Sequence, residues 1–243
     1  MTSNQKIPDL FLSLPHACSY LPGKQSSMLF TNPGKFVTNE EYSLLIQHGF
    51  RRSGTLIYRP HCRACNACVP VRIPVQQFQP RRGQKRVWRR NSDLKVSIVE
   101  PRFEEDHFQL YRQYQRRRHP GSSMDQNEPS AYNEFLVASP VSTRFIEFRE
   151  PGSKRLLAVA VVDLVGDGIS AVYTYFNCDE SHRGLGVYAI LWQIDYAQSL
   201  GLPCLYLGYW IRDCGKMSYK QHYQPLEAYS GNRWLPFTAQ SGN

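Results

Sequence analysis

One run of elements constrains this chain more than any other feature. From Arg144 to Trp210 the sequence reads as strand (Arg144–Phe148), strand (Arg155–Val165), a GDG turn, strand (Ile169–Phe176), loop, helix (Val187–Leu200), Gly201 and strand (Cys204–Trp210). β-branched and aromatic residues fill the strand windows and fit a pleated, half-buried surface. Gly-Asp-Gly between the second and third windows is the chemistry of a tight hairpin. Strands and a helix in this order lead to an α+β fold with a mixed sheet. The last strand carries a further signal. Gly208 interrupts YLGYW, and a lone strand glycine marks a bulge or the close approach of a ligand or another backbone. The strand then delivers Lys216, Met217, Tyr219 and Lys220, cations and aromatics suited to an anionic, base-containing ligand. The plainer alternative is a core strand with a solvated basic exit.

Upstream, from Leu10 to about Glu100, the elements are short and broken by Pro and Gly. Asn39 reads as the cap of a helix that closes at Gly49. GTLIYRP and CVPVRIPV read as strands flanking HCRACNAC, and a further strand falls near Leu94–Val99. A boundary near Glu100–Pro101 divides the chain into residues 1–100, cysteine-bearing and basic, and residues 101–243. Beyond it a helix runs through Phe103, Phe108, Leu110, Tyr111 and Tyr114, and the polar segment GSSMDQNEPS reads as mobile.

Seven cysteines, an odd number, in a chain whose first residues lack the pattern of a secretory signal argue against a disulfide framework. Cys62, Cys65 and Cys68, with Cys18 as a fourth thiolate and His16 or His61 as substitutes, suit tetrahedral zinc or an iron–sulfur cluster. Small buried residues in a tight turn are the competing reading. No apolar run approaches the length of a bilayer span, so a soluble, cytoplasmic protein is expected.

Net charge is +9, and the excess is clustered. Arg81, Arg82, Lys85, Arg86, Arg89 and Arg90 surround Trp88; Arg112, Arg116, Arg117, Arg118 and His119 form a second group. Such blocks favour polyanions with steep salt dependence, and Trp88 adds a stacking face. The second group also complements the C-terminal end of a helix dipole.

The loop NCDESHRGLGVY sets Arg183, Gly184 and Gly186 at a helix N-terminus, an anion site by geometry and dipole. It resembles the pyrophosphate loop of the GCN5-type acetyltransferase fold, but Tyr188 stands where a small residue is usual and crowds the place of acetyl-CoA. A plain left-handed turn with a helix cap is the bland reading.

CSYLP from Cys18, GFRRSG from Gly49, YRPHC from Tyr58, CVPVR from Cys68, SAVYTYF from Ser170, GLGVY from Gly184 and GYWIRDCGKMSYK from Gly208 together resemble the aminoacyl-tRNA–protein transferases of the N-degron pathway. The resemblance spans nearly the whole chain in order. It implies a GCN5-type acetyltransferase-like C-terminal domain that holds the aminoacyl end of a tRNA, plus a smaller N-terminal cysteine domain. The short Cys-x-x-Cys-x-x-Cys form is similar to the bacterial branch, which transfers leucine from leucyl-tRNA to proteins with N-terminal Asp or Glu. The eukaryotic branch transfers arginine and has a differently spaced cysteine cluster.

The chemistry asks little. The ester is already activated, and an α-amine with a reference pKa of about 7.7–8.0 is partly neutral at neutral pH. Holding amine and ester together supplies much of the rate. An oxyanion donor and a base remain to be found. Tyr173, Tyr175, Tyr209, Lys216 and Tyr219 are candidates, with Asp179 to orient the amine. An acidic acceptor calls for an arginine fork, for which Arg51, Arg52 and Arg59, then Arg72, are the candidates. Arg81, Arg82, Lys85, Arg86, Arg89, Arg90, Arg183, Gly184, Gly186 and Lys220 are the expected tRNA contacts. The chemistry itself requires no cofactor. Two other classes compete. An acetyl-CoA-dependent acetyltransferase would be stabilised by acetyl-CoA, and a zinc-bearing RNA-binding protein would hold tRNA without labelling any peptide.

Overall fold

The computed structural model describes residues 8–120 and 128–238. A four-stranded antiparallel sheet is ordered β1-β4-β6-β5, from β1 (Leu10–Leu12), β4 (Met28–Thr31), β5 (Arg51–Ser53) and β6 (Leu56–Pro60). β2 (His16–Ala17) and β3 (Gln25–Ser26) form a small ladder beside it. Helix α1 (Asn39–Gln47) is capped by Thr38 rather than by the expected Asn39. Thr38 and Glu41 form a reciprocal capping box, which satisfies two orphan donors at once. The Asn39 Oδ1 instead accepts from Ser142 N.

The larger sheet has eight strands in the order β14-β13-β7-β12-β11-β10-β9-β8. These are β7 (Val69–Pro74), β8 (Lys95–Val99), β9 (Thr143–Arg149), β10 (Leu156–Val165), β11 (Gly168–Phe176), β12 (Cys204–Trp210), β13 (Glu227–Ser230) and β14 (Arg233–Pro236). All neighbours are antiparallel except β11 and β12. That parallel pair is joined across α5 (Leu185–Ser199), because parallel strands need a crossover. The expected strand–hairpin–strand–helix–strand order is therefore present, and the fold is α+β with a mixed sheet. β7 and β8, from the first hundred residues, complete this sheet.

Alternation along β10 sends Ala158, Ala160 and Val162 into one cluster, and Val159 and Val161 into another. The first face packs against α5 and α2 (Arg82–Arg90); the second packs against α3 (Glu105–Arg118) and the segment from α4 (Pro129–Tyr132) to Val137. α1 closes a third cluster with Val165 and Tyr206. A last short helix, α6 (Gly215–Ser218), leads into a 3-10 turn, Tyr219–His222. Of the polar segment expected to be mobile, residues 121–127 lie outside the described residues, while Glu128 precedes α4. No helix among the described residues is long and apolar enough to cross a membrane.

Candidate functional site

The site is built around an interruption in the large sheet. β11 pairs with β12 only from Gly168–Ser170 to Cys204–Tyr206. On its other side β12 shifts register against β7 between Tyr206 and Gly208. Gly208 adopts φ +78, and an ideal Cβ there would lie 1.5 Å from Nη1 of Arg51. The lone strand glycine thus marks both a bulge and a close approach, and the approaching group is a guanidinium. Arg51 Nη2 donates to Ala171 O at 2.8 Å and to Val172 O at 3.3 Å, carbonyls just past the last β11–β12 pair. Its Nε–H is buried and has no partner among the described residues.

Strand alternation decides which arginine reaches this gap. Arg51 pairs across the ladder with Tyr58, and Arg52 with Ile57. Arg52 therefore points the other way, into the core at 3% exposure. Its Nε and Nη2 hold Asp163 at 2.8 Å each, its Nη1 donates to Gly54 O, and Thr143 completes the network. Arg52 is a buried structural cation and leaves the acceptor set. Arg59 lies over the Phe50 ring and donates to His48 O. Arg72 is bound by Glu227, with its guanidinium over Trp234.

Around Arg51 stand Tyr20, Tyr58 and Tyr209. Burial pushes all three phenols above the ordinary value, with the charge of Arg51 opposing. The Tyr209 hydroxyl donates to Gly49 O at 3.0 Å. Buried and occupied, Tyr209 ties β12 to the smaller sheet and is a poor base. Tyr173 receives a hydrogen bond from Gln115, and burial raises its phenol far above 10. Tyr175 pairs with Tyr132 inside the core. Asp179 is exposed and paired with Arg117 at 2.9 Å, so it is held at the surface.

Lys220, expected as an exposed RNA contact, is 5% exposed. Its amine donates to Tyr209 O and lies 3.2 Å from the Met217 sulfur. Burial first, and Arg51 second, lower its pKa to about 7. Spacing alone does not reveal this, because Lys-x-x-x-Lys reads as a solvated stripe. Lys216 is exposed; its Nζ is 3.3 Å from Nδ1 of His119, whose pKa is lowered by burial, then by Lys216 and Arg118. Tyr219 is 42% exposed, and its ring lies 5.7 Å from the Lys220 amine.

Cys18, Cys62, Cys65 and Cys68 line one small cavity with Tyr20, Tyr58 and Tyr209. Backbone N–H groups of Tyr20 and Leu21 approach the Cys18 sulfur at 3.5 and 3.4 Å. Burial, then the other three cysteines, push the Cys68 thiol up to about 12. As the side chains stand, no metal-binding group of three or more His, Cys, Asp or Glu residues forms among the described residues. The donor chemistry fits a soft metal, whereas the geometry is that of a thiol-lined pocket. His16 and His61 are exposed.

The basic block 81–90 folds as the helix α2 behind its N-cap Arg81, with Arg82, Lys85, Arg86, Arg89 and Arg90 all exposed. Gln84 Nε2 donates to His222 O, and Asn91 Nδ2 to Arg183 O. These bonds fasten α2 between the Tyr219–His222 turn and the loop before α5. Within that loop Arg183 is not available for phosphate. It is held by both oxygens of Asp93 at 3.0 Å and its side chain is 15% exposed. Gly184 (φ +66) faces Val87, and a Cβ on Gly186 would meet the Phe176 ring at 3.0 Å. The two glycines serve packing rather than an open anion cradle. Tyr188 is 5% exposed and packs against Trp88 and Phe148. It points into the core, so Val87 and Phe176 are what crowd the loop.

Residues 16–86 match the family described as arginine-tRNA-protein transferase, N terminus, and residues 106–230 its C terminus. An aspartate/glutamate leucyltransferase of Pseudomonas fluorescens (strain Pf0-1) is 50% identical over 225 residues, covering 93% of this chain and 95% of that protein. One from Nitrosococcus oceani is 47% identical over 226 residues, covering 93% and 94%. Among solved structures, L-PGS from Bacillus licheniformis aligns at a TM-score of 0.46 and 10% identity, over 70% of this chain and 50% of that one.

Proposed function

The chain belongs to the arginine-tRNA-protein transferase family, and on that premise we propose that it moves leucine from leucyl-tRNA to the α-amine of proteins beginning with Asp or Glu. It is an aminoacyltransferase. The leucyl donor and the acidic acceptors follow its similarity to leucyltransferases over almost their full length. One observation carries the acceptor reading: Arg51, a permanent cation with an unpartnered Nε–H, sits in the gap between β11 and β12. A half-buried cation of this kind favours a carboxylate, which accepts charge-assisted bonds. The same guanidinium fills the gap itself, which disfavours the acetyl-CoA reading.

Lys220 takes the proton-accepting role ahead of the phenols, because its amine titrates near neutrality and their burial holds them protonated. Tyr219 and Lys216, at the rim, are the donors nearest solvent. The exposed cations of α2 receive the tRNA backbone. We read the eight-stranded sheet as the acetyltransferase-like part, residues 101–243. Residues 1–100 are the cysteine-bearing part, whose β7 and β8 complete that sheet. A zinc ion or iron–sulfur cluster at Cys18, Cys62, Cys65 and Cys68 would brace the loop behind Tyr20 and Tyr58, with no transfer step passing through it. The reaction belongs in the cytoplasm, where charged tRNA is made.

The test is incubation with leucyl- or arginyl-tRNA and peptides beginning with Asp, Glu, Asn or Lys, read by mass spectrometry. Leucine should appear on the Asp and Glu peptides alone. Preferential use of arginyl-tRNA would overturn the donor assignment. Arg51→Ala should raise KM for the peptide by the equivalent of about 1.5–3 kcal/mol, the worth of a hydrogen bond to a charged group, with KM for tRNA little changed.

A further inference from the structure

A cleft of about 230 Å³ opens between α2 and α5, away from the gap that holds Arg51. Trp88, Leu191 and Ile194 contribute an apolar wall, and Lys85 and Arg89 stand on α2 at its rim. Lys85, Trp88 and Arg89 are three and four residues apart, so they share one helix face. Lys85 and Arg89 are exposed, and no ion pair to either is formed among the described residues. Asp195, exposed on α5, supplies an acceptor on the opposite wall. Clefts that enclose whole small ligands run to about 300–1,000 Å³; this one is smaller and open. It has an aromatic face, a carboxylate to accept from an amino group and two cations outside. That combination matches one nucleobase with its flanking phosphates. Through Gln84 and His222 O, α2 also abuts the turn that carries Tyr219 and Lys220.

We propose that this cleft holds one unpaired base from the single-stranded 3′ end of the donor tRNA, stacked on Trp88, with its phosphates on Lys85 and Arg89. This rests on reading the chain as a tRNA-dependent transferase. The phosphates anchor non-specifically, while Trp88 fixes where along the single strand the enzyme grips. The ester end is thereby registered toward the Tyr219–Lys220 turn.

The experiment measures binding of uncharged tRNA to the full chain by fluorescence anisotropy at fixed salt. The tRNA is used intact and trimmed of its unpaired 3′ nucleotides. Trp88→Leu keeps an apolar side chain against Tyr188 and should weaken intact tRNA by roughly 5- to 150-fold, the range for one lost stacking contact. Trp88→Phe should retain most of the affinity. Trimming should weaken the wild type more than it weakens Trp88→Leu, since both remove the stacking contact while trimming also removes the phosphates on Lys85 and Arg89. Trimming the tRNA needs no variant, so unchanged wild-type affinity for trimmed tRNA refutes the proposal even if Trp88→Leu fails to fold. A folded Trp88→Leu with unchanged affinity also overturns it, as does a loss confined to KM for the acceptor peptide. A wild type that shows the trimming effect yet transfers no leucine would instead sink the proposed function and leave the cleft standing.

Discussion

Lys220→Met tests the buried amine directly. A lysine whose pKa falls from 10.5 to about 7 on folding opposes folding through its proton. Below pH 7 both states carry the proton, and the folded state bears the whole cost of a buried cation. Three and a half units at 1.36 kcal/mol each put that cost at about 5 kcal/mol. Between pH 7 and 10.5 the unfolded chain binds the proton and the folded chain does not, so wild-type stability rises with pH. Above 10.5 the difference is gone. Removing the amine also strips Tyr209 O of its donor, a cost of about 1–3 kcal/mol that does not depend on pH. The pH-dependent part is therefore the clean observable. Applied to the same two pKa values, the linkage relation leaves about 2 kcal/mol of the cost at pH 9. The advantage of the Met variant over wild type should accordingly shrink by about 2–3 kcal/mol between pH 6 and pH 9. Urea unfolding of both proteins at four pH values reads it. A difference that stays flat, or grows with pH, would refute the buried neutral amine and with it the base assigned to the reaction.

Arg52→Met should destabilise by about 3–5 kcal/mol, because it strands the Asp163 carboxylate in the core; pairing it with Asp163→Leu should restore most of the loss in chemical denaturation. Gly208→Ala forces a side chain into the left-handed region and onto the Arg51 guanidinium, so kcat/KM for acidic peptides should collapse while melting falls only modestly; wild-type KM would show that Arg51 has no role in acceptor binding. Replacing Arg82, Lys85, Arg86 and Arg89 by Ala should flatten the log–log salt slope of tRNA binding, each lost phosphate contact removing about 0.9 from a duplex slope. Elemental analysis of chelator-free protein should find about one zinc or one cluster per chain if the cysteines bind metal; metal-free, fully active protein would reduce the four thiols to architecture.

Much of this was fixed by local sequence. The strand windows, the GDG hairpin, the α5 helix and the meaning of Gly208 follow from periodicity and turn chemistry, which act within a few residues. Family membership was equally legible, since its motifs lie in order along the chain. Clustered charge points to a polyanion in the sequence, although periodicity is not enough to show that Arg82–Arg90 form a helix pinned by Gln84 and Asn91. What tertiary structure decided was the fate of each charge. Arg51 and Arg52 are adjacent and chemically identical, yet one fills the β11–β12 gap and the other is buried against Asp163, because successive strand residues face opposite ways and Asp163 lies 111 residues away. Arg183 reads as a phosphate ligand beside Gly184 and Gly186, whereas in the fold Asp93 occupies its guanidinium. Lys220 and Lys216 are four apart in sequence; burial under Tyr209 makes one a near-neutral amine, and solvent leaves the other at the rim. Exposure and long-range partners set those differences, and neither is encoded in spacing along the chain.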